Sequence, residues 1–312
     1  MLKRYYAILL LCWLGAATAV AQQEPSFSHY WAMEPSFNPA AAGKVQKINV
    51  TGAYNMTMVG FEHNPRTMYI AADMPLQLLR RSHGVGLQLM SDEIGLFSHQ
   101  RLTLQYAYKH KLLGGLLSVG LQLGLISEKF KGGSLDLEQN NDEAFSQGDE
   151  TGTATDVSAG LYYMHGPWHV GISALHLTAP SIELGDRSIL DISRVYYLTG
   201  GYNIQLGIPF LSIHPTVLGR YDGTVWRADV TARVKYTHQN KVMYAGLGYS
   251  PTNSVTAFIG GLFHGVMLGY SYEMYTSALS FGNGSHELFV GYQTDLNFEK
   301  KGRNRHQSVR LL

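Results

Sequence analysis

The groupings whose residue types and spacing could do chemistry are few. Ser285, His286 and Glu287 stand in succession and supply, by type, a nucleophile, a base and an acid. Successive residues of a strand point to opposite faces, so in a strand Ser285 and His286 would not face each other. No G-x-S-x-G elbow accompanies them. His165 and His169 flank Gly166-Pro167, but two histidines without a third ligand at a sensible spacing fall short of a zinc site. His176, between Leu175 and Leu177, suits a satisfied structural histidine better than a ligand or base. Asp136, Glu138, Asp142, Glu143, Asp149 and Glu150 make one stretch acidic, without the spacing of a calcium loop, which leaves a solvated loop. The glycines between Gly114 and Gly124 lie within a strand pattern and not at a strand-to-helix turn, so they do not cradle phosphate. Neither a catalytic constellation nor a cofactor or metal site is expected.

The elements around these residues alternate. Lys3 and Arg4, the apolar run Tyr5 to Val20 and Ala19-Val20-Ala21 have the form of a secretory signal peptide, residues 1–21. The single cysteine, Cys12, lies within it, so the remaining chain has no disulfide and no thiolate chemistry. The formal net charge of +1 becomes close to neutral without Lys3 and Arg4, and no basic excess points to nucleic acid. Beyond the signal no apolar run reaches the ~18 residues of a membrane helix. Yet 34 Gly, 20 Tyr and 12 Phe with 15% charged residues are unusual for a soluble enzyme. Periodicity accounts for them. Leu117, Val119, Leu121, Leu123 and Leu125 alternate with Ser118, Gly120, Gln122 and Gly124, and comparable segments recur to the end of the chain. The second face carries Gly, Ser, Thr, Gln and Tyr where a soluble sandwich would carry Lys, Glu and Asp. Segments of this length match tilted membrane strands of roughly 9–11 residues, which must close into a barrel because lipid satisfies no backbone group.

Candidate strands fall at 49–61, 66–73, 84–92, 101–112, 116–128, 154–164, 168–177, 194–205, 212–221, 225–236, 241–250, 254–261, 264–274 and 286–298. The reading is an all-β transmembrane antiparallel barrel of about fourteen strands over residues 49–298, an even number as single-chain bacterial barrels usually have. Long connections at 129–153, 178–193 and 275–285 share one side, and short ones at 113–115, 165–167 and 238–240 share the other. That asymmetry makes the short-turn side periplasmic, with both termini there. The connection Met74 to His83 is longer than this pattern predicts. Residues 22–48 form a periplasmic lead or a plug, and 299–312, with Lys300, Lys301, Arg303, Arg305 and Arg310, form a basic periplasmic tail.

Ordered blocks along the chain resemble the PorP/SprF family of Bacteroidetes outer-membrane proteins. Gln23-Glu24-Pro25-Ser26-Phe27-Ser28-His29-Tyr30 and Phe37-Asn38-Pro39-Ala40-Ala41-Ala42-Gly43 are similar to the family's Q-D-P-x-F-S-Q-Y and N-P-A-x-A-G blocks. Asn64-Pro65-Arg66-Thr67, Asp73-Met74-Pro75, Gly84-Val85-Gly86, Asp92-Glu93-Ile94-Gly95 and Tyr106-Ala107-Tyr108 follow. Gly171 to Leu177 resembles its G-x-S-x-x-H-L strand, Gly269 to Glu273 its Y-S-Y-D block and Gly284 to Leu288 its G-S-H-E-L block. Glu24, His29 and Glu273 replace the family's usual Asp, Gln and Asp. The resemblance implies a non-enzymatic component of the type IX secretion system and gliding motility, in contact with outer-membrane lipid. It would dock periplasmic secretion components, or a secreted adhesin or its C-terminal domain. A diffusion channel or small-molecule transporter is the alternative, disfavoured because many inward positions are Gly, Tyr, Gln and Thr, which suits a filled interior. Phe27, Tyr30, Asn38, Pro39 and Gly43 are candidate partner-docking residues; Asn38-Pro39 and Gly43 could equally form a tight turn into the first strand. Asp92, His176, Glu273, His286 and Glu287 are candidate loop-orienting residues.

Overall fold

The computed structural model describes residues 24–78, 80–132, 148–185, 188–239, 241–276 and 283–295. The signal peptide, the acidic residues Asp136 to Glu143, the strand end 296–298 and the basic tail lie outside them. The strands are β1 (Ile48–Met56), β2 (Arg66–Leu78), β3 (Arg81–Ile94), β4 (Phe97–Leu112), β5 (Gly115–Lys131), β6 (Asp149–His165) and β7 (Trp168–Leu175). A hairpin, β8 (Ser181–Leu184) and β9 (Ser188–Asp191), follows. Next come β10 (Val195–Tyr202), β11 (Ile204–Gln205), β12 (Leu211–Tyr221), β13 (Trp226–His238), β14 (Lys241–Ser250), β15 (Ser254–Phe263), β16 (Val266–Tyr275) and β17 (Ser285–Thr294). Neighbours pair antiparallel in chain order, and β1 pairs with β17 from Ile48↔Thr294 to Met56↔His286, closing the barrel. β10 and β11 both lie along β12 and form one interrupted wall strand, so the closed barrel has fourteen strands.

Alternation sorts the side chains. Along β5, Leu121, Leu123 and Leu125 are 55%, 65% and 50% exposed, whereas Ser118 and Gln122 are 4% and 2% exposed. The exposed leucines belong to an outward apolar belt for lipid, and the polar set points into the lumen. Outward aromatics flank the belt: Trp168, Tyr202, Phe263 and Tyr292 near one rim, Tyr54, Tyr196, Tyr221 and Tyr249 near the other.

The rims differ as the loop lengths require. At one, β4–β5, β6–β7 and β15–β16 are joined by two-residue turns, Leu113-Gly114, Gly166-Pro167 and His264-Gly265. The connection that looked too long is also tight, because Met74–Leu78 and Arg81–Val85 continue the β2–β3 ladder. At the other rim, β1 ends at Met56, short of the expected 61. There Thr57 N–H bonds Pro65 O and Val59 N–H bonds Gly284 O, turning the chain across the mouth. The β8–β9 hairpin was not foreseen. Its Ile182 packs with Ile126 and Ile192 in an apolar cluster at the upper lumen wall.

Residues 24–47 run through the lumen from near the long-loop rim down to Ile48, as three single turns of 3-10 helix, Tyr30–Ala32, Glu34–Ser36 and Pro39–Ala41. Their lower half lies on a row of small inward residues placed side by side by register: Pro75, Gly84, Ala107, Gly120, Gly160 and Ser173. A Cβ on Gly120 would run into the Pro39-Ala40 backbone, one on Gly84 into Ala42 O, and one on Gly160 into the Asn38 side chain. Gly43, at φ +61°, turns the chain toward β1 with no space for a side chain beside Met74 O. Backbone obstacles cannot rotate away, unlike a side-chain tip. Gly120→Ala is therefore expected to destabilise the barrel by about 1–3 kcal/mol. Gly124→Ala, whose nearest neighbours are 3.4–3.7 Å away, should be near neutral. Thermal melting of the two purified variants checks the contrast; equal melting temperatures would show that the small-residue row does not seat the segment.

Candidate functional site

The lumen segment has no apolar period of its own, so polar contacts to the wall must fix it. From the top, the Glu24 carboxylate lies 2.5 Å from Arg101 Nη1 on β4 and 3.4 Å from His176 Nε2 just past β7. His176 Nδ1 is 3.0 Å from Asp156 on β6, and Arg220 on β12 donates to Glu24 O at 2.6 Å. Burial opposes ionisation of Glu24, but Arg101 and then His176 outweigh it and hold the carboxyl well below the usual range.

One turn on, the Ser28 and His29 amides donate to the Glu287 carboxylate at 2.7 and 3.0 Å. His29 Nδ1 meets the same carboxylate at 2.6 Å, and its ring stacks on Phe289 at 5.1 Å. Both side chains are almost fully buried. Tyr30 reaches β12 and β13, its hydroxyl lying 3.3 and 3.2 Å from the Thr216 and Thr231 hydroxyls. Arg233 sits over the Trp31 ring at 3.5 Å, a cation–π contact.

Glu34 is the next ionic centre. Tyr162 OH donates to it at 2.7 Å, His169 Nε2 lies 3.2 Å away and Lys44 closes an ion pair from the same segment. Below, Gln88 and Gln105 both donate to Pro35 O at 2.7 Å, and Ser173 donates to Phe37 O at 2.6 Å. Asn38 caps the Pro39–Ala41 turn by accepting from Ala40 N–H at 3.0 Å, while its Nδ2 donates to Leu161 O at 3.1 Å. Gly43 N–H donates to Asp73 at 2.7 Å, and Lys109 donates to Gly43 O.

The ten residues singled out from sequence thus separate. Phe27, Tyr30, Asn38, Pro39 and Gly43 are all buried against the barrel wall, Phe27 among Ala53, Tyr69, Ala71 and Met90. Glu287 and His176 hold the lumen segment. Glu273 of β16 bonds Ser254 on the adjacent β15 and pairs with Arg227 on β13, three strands along the wall, at 3.1 Å. Asp92 accepts from Thr67 at 2.5 Å on the inner face. His286 points outward to Tyr270 OH at 2.7 Å, while Ser285 points inward to Tyr275 OH at 2.6 Å, so the two do not meet.

Sequence reading missed Glu34, Arg101, Lys109 and Arg233, and it understated opposed charge in the lumen. Arg101 and Lys109 occupy inward positions of β4, a signal the alternation carried; nothing in residues 24–47 revealed which of them each would meet. Among the described residues no three His, Asp or Glu side chains are grouped to hold a metal.

Glu34 makes the assembly sensitive to acid. Burial alone would raise its carboxyl, yet Lys44 and then His169 lower it from 4.5 to about 2. A carboxyl depressed in the folded state contributes stability that is present above 4.5 and is lost as pH falls toward 2. Loss of that contribution should cost on the order of 3 kcal/mol. Glu34→Gln is expected to lower the melting temperature at pH 7 and to flatten the decline between pH 4.5 and 2. An unchanged acid profile in the variant would show that another group anchors the segment.

Residues 19–292 match the family model described as type IX secretion system membrane protein PorP/SprF. No curated protein sequence matches the chain. Among solved structures, the CymD monoaromatic hydrocarbon channel is similar at TM-score 0.49 and 11% identity, covering 85% of this chain and 93% of that one. The Ralstonia pickettii toluene transporter TbuX is similar at TM-score 0.47 and 11% identity over 85% and 93%. A Pseudomonas aeruginosa FadL homologue follows at 0.44 and 10% over 81% and 91%. These likenesses concern the barrel outline alone. The family match spans nearly the whole barrel, and with the closed, apolar-belted wall it places the protein in the outer membrane: the chain belongs to the PorP/SprF family of type IX secretion system membrane proteins.

Proposed function

We propose that this barrel acts as a non-enzymatic fixture of type IX secretion, holding partners at its rims and passing nothing through its lumen. The observation that carries the reading is the seating of residues 24–47, which cross the lumen and meet the wall through Glu24–Arg101, His29–Glu287 and Glu34–His169. A diffusion channel would need this segment to leave, and each buried ion would then lose its partner at a cost of several kcal/mol. Five of the motif residues are spent on this seating, so docking falls to the rims.

The rims differ in charge. Arg80, Arg81, Lys111 and Lys241 are exposed around the short-turn rim, whereas Glu62, Glu93, Asp191 and Asp222 mark the long-loop rim. A basic periplasmic rim suits an acidic face of the periplasmic machinery, and the long-loop rim is free for an exported surface protein.

A reversible lock tests the reading, and the chain lends itself to one because Cys12 is its only cysteine. Ala40→Cys with Ser118→Cys would tie the segment to β5, where Ser118 Oγ now donates to Ala40 O at 2.7 Å. Oxidised cells should secrete and display type IX cargo as well as reduced ones, and pull-down of the locked barrel should still recover periplasmic secretion components. Secretion that stops on oxidation and returns on reduction would show instead that the segment must move.

A further inference from the structure

Above the seated segment the lumen widens into a cavity of about 460 Å³ that the anchoring contacts do not use. Its walls come from three places. Ile94 and Phe97 are the inward residues at the β3–β4 turn, and Leu190 and Ile192 come from the end of the β8–β9 hairpin. Between them runs one cross-strand row on the inner face, Asp92 of β3, His99 of β4 and Glu128 of β5, set side by side by register. The floor is Glu24 and His176, the former resting on Arg101.

The charge of this chamber is lopsided. Four carboxylates, Glu24, Asp92, Glu128 and Asp191, line it against two imidazoles, His99 and His176, and Arg101, the guanidinium beneath, is already engaged with Glu24. Glu128 pairs with His99 Nδ1, but the buried His99 Nε2 has no hydrogen-bond partner. Asp92 and Glu128 are 5% and 3% exposed, so they are held in place and shielded from water by the wall. Among the described residues the carboxylates do not converge on a metal-binding point. Acid spread over one wall and aliphatic or aromatic surface on the others suits a ligand with a charged end and an apolar body. A volume of this size falls within the range of small-molecule sites, roughly 300–1,000 Å³.

We propose that this chamber binds an organic cation, an ammonium or guanidinium group on an apolar body. The cation lies against the Asp92–His99–Glu128 row and the body against Ile94, Phe97, Leu190 and Ile192. A small amine and the basic side chain of a polypeptide present the same chemistry. The inference is independent of the secretion role, since it concerns space that the described residues leave open.

The test uses the full-length barrel in detergent micelles and isothermal titration calorimetry with three probes that share a phenylethyl body: 2-phenylethylammonium, 2-phenylethanol and 3-phenylpropionate. The ammonium should bind at least about tenfold more tightly than the alcohol, one decade corresponding to about 1.4 kcal/mol of charge recognition. The carboxylate should not bind measurably. Glu128→Gln and Asp92→Asn should each weaken ammonium binding about tenfold, with folding verified by heat-modifiable gel migration. If either variant fails to fold, the three-probe order on the unaltered protein still decides. A parallel titration with an N-acetylated Leu-Lys-Phe amide separates the sources: tighter binding than the free amine assigns the site to a polypeptide side chain, weaker binding to a small amine. Equal binding of alcohol and ammonium, or binding of neither ammonium nor peptide, would overturn the proposal.

Discussion

Lipid supplies no hydrogen-bond partners, so strands in a bilayer must close on themselves, and closure decides how much space they enclose. Eight strands can fill their interior with side chains, whereas a barrel of fourteen encloses a lumen too wide for its inward residues to fill. Everything distinctive about this protein follows from how that space is used. Residues 24–47 occupy it, and the inward face of each strand is shaped to receive them. The lower wall recedes to Pro75, Gly84, Ala107, Gly120 and Gly160 so that a backbone can lie directly on it. The middle wall advances with Gln88 and Gln105, whose side-chain amides donate to the Pro35 carbonyl that a non-repetitive segment leaves unpaired, and with Gln122, whose Oε1 accepts from Gln105.

Buried charge is ordinarily destabilising, and this lumen holds a good deal of it. The resolution lies in pairing: Glu24 meets Arg101, Glu34 meets His169 and Tyr162 on the wall as well as Lys44 of its own segment, and Glu287 receives two amides and an imidazole. Such pairs need add little net stability to be informative. Separating them would strand an ion in a shielded site, so they define one seating of the segment and disfavour slipped ones. Apolar packing alone would not discriminate so sharply between neighbouring positions. Phe27 among Ala53, Tyr69 and Ala71 would tolerate a small shift that Glu24 at 2.5 Å from Arg101 would not.

The wall was legible in the sequence because strand geometry writes itself as a period of two. Leu121, Leu123 and Leu125 against Ser118 and Gln122 sufficed to orient β5, and recurrence of that pattern yielded fourteen strands. Errors arose where the period ends. β2 extends beyond the expected segment because Pro75, a poor strand residue by type, sits where the lumen segment needs a small inward neighbour, and β3 begins at Arg81, three residues before the expected Gly84, because its ladder with β2 continues to Leu78. The β8–β9 hairpin is four residues a side, too short for a period to register. The lumen segment itself was illegible as a site. Glu34-Pro35 and Asn38-Pro39 announce turns, but the partners of Glu34 and Asn38 lie more than 120 residues away on β6. Pairing at that separation depends on barrel register, which local pattern does not specify. His29 and Glu24, departures from the family blocks, turn out to be two of the contacts that hold the segment.

Seen from the lumen axis, the interior changes character with height. Small residues at the bottom clamp backbone, ions and amides in the middle fix register, and at the top the wall is apolar and acidic, with space that the described residues leave open. The strands β4, β5 and β6, with 16, 17 and 17 residues, are longer than the roughly 9–11 needed to cross a bilayer and raise one side of the wall. The open chamber and the β8–β9 hairpin both lie against that raised side. The proposed holding role at the rims draws on this arrangement, because a partner bound at one rim needs a wall whose register the seated segment fixes.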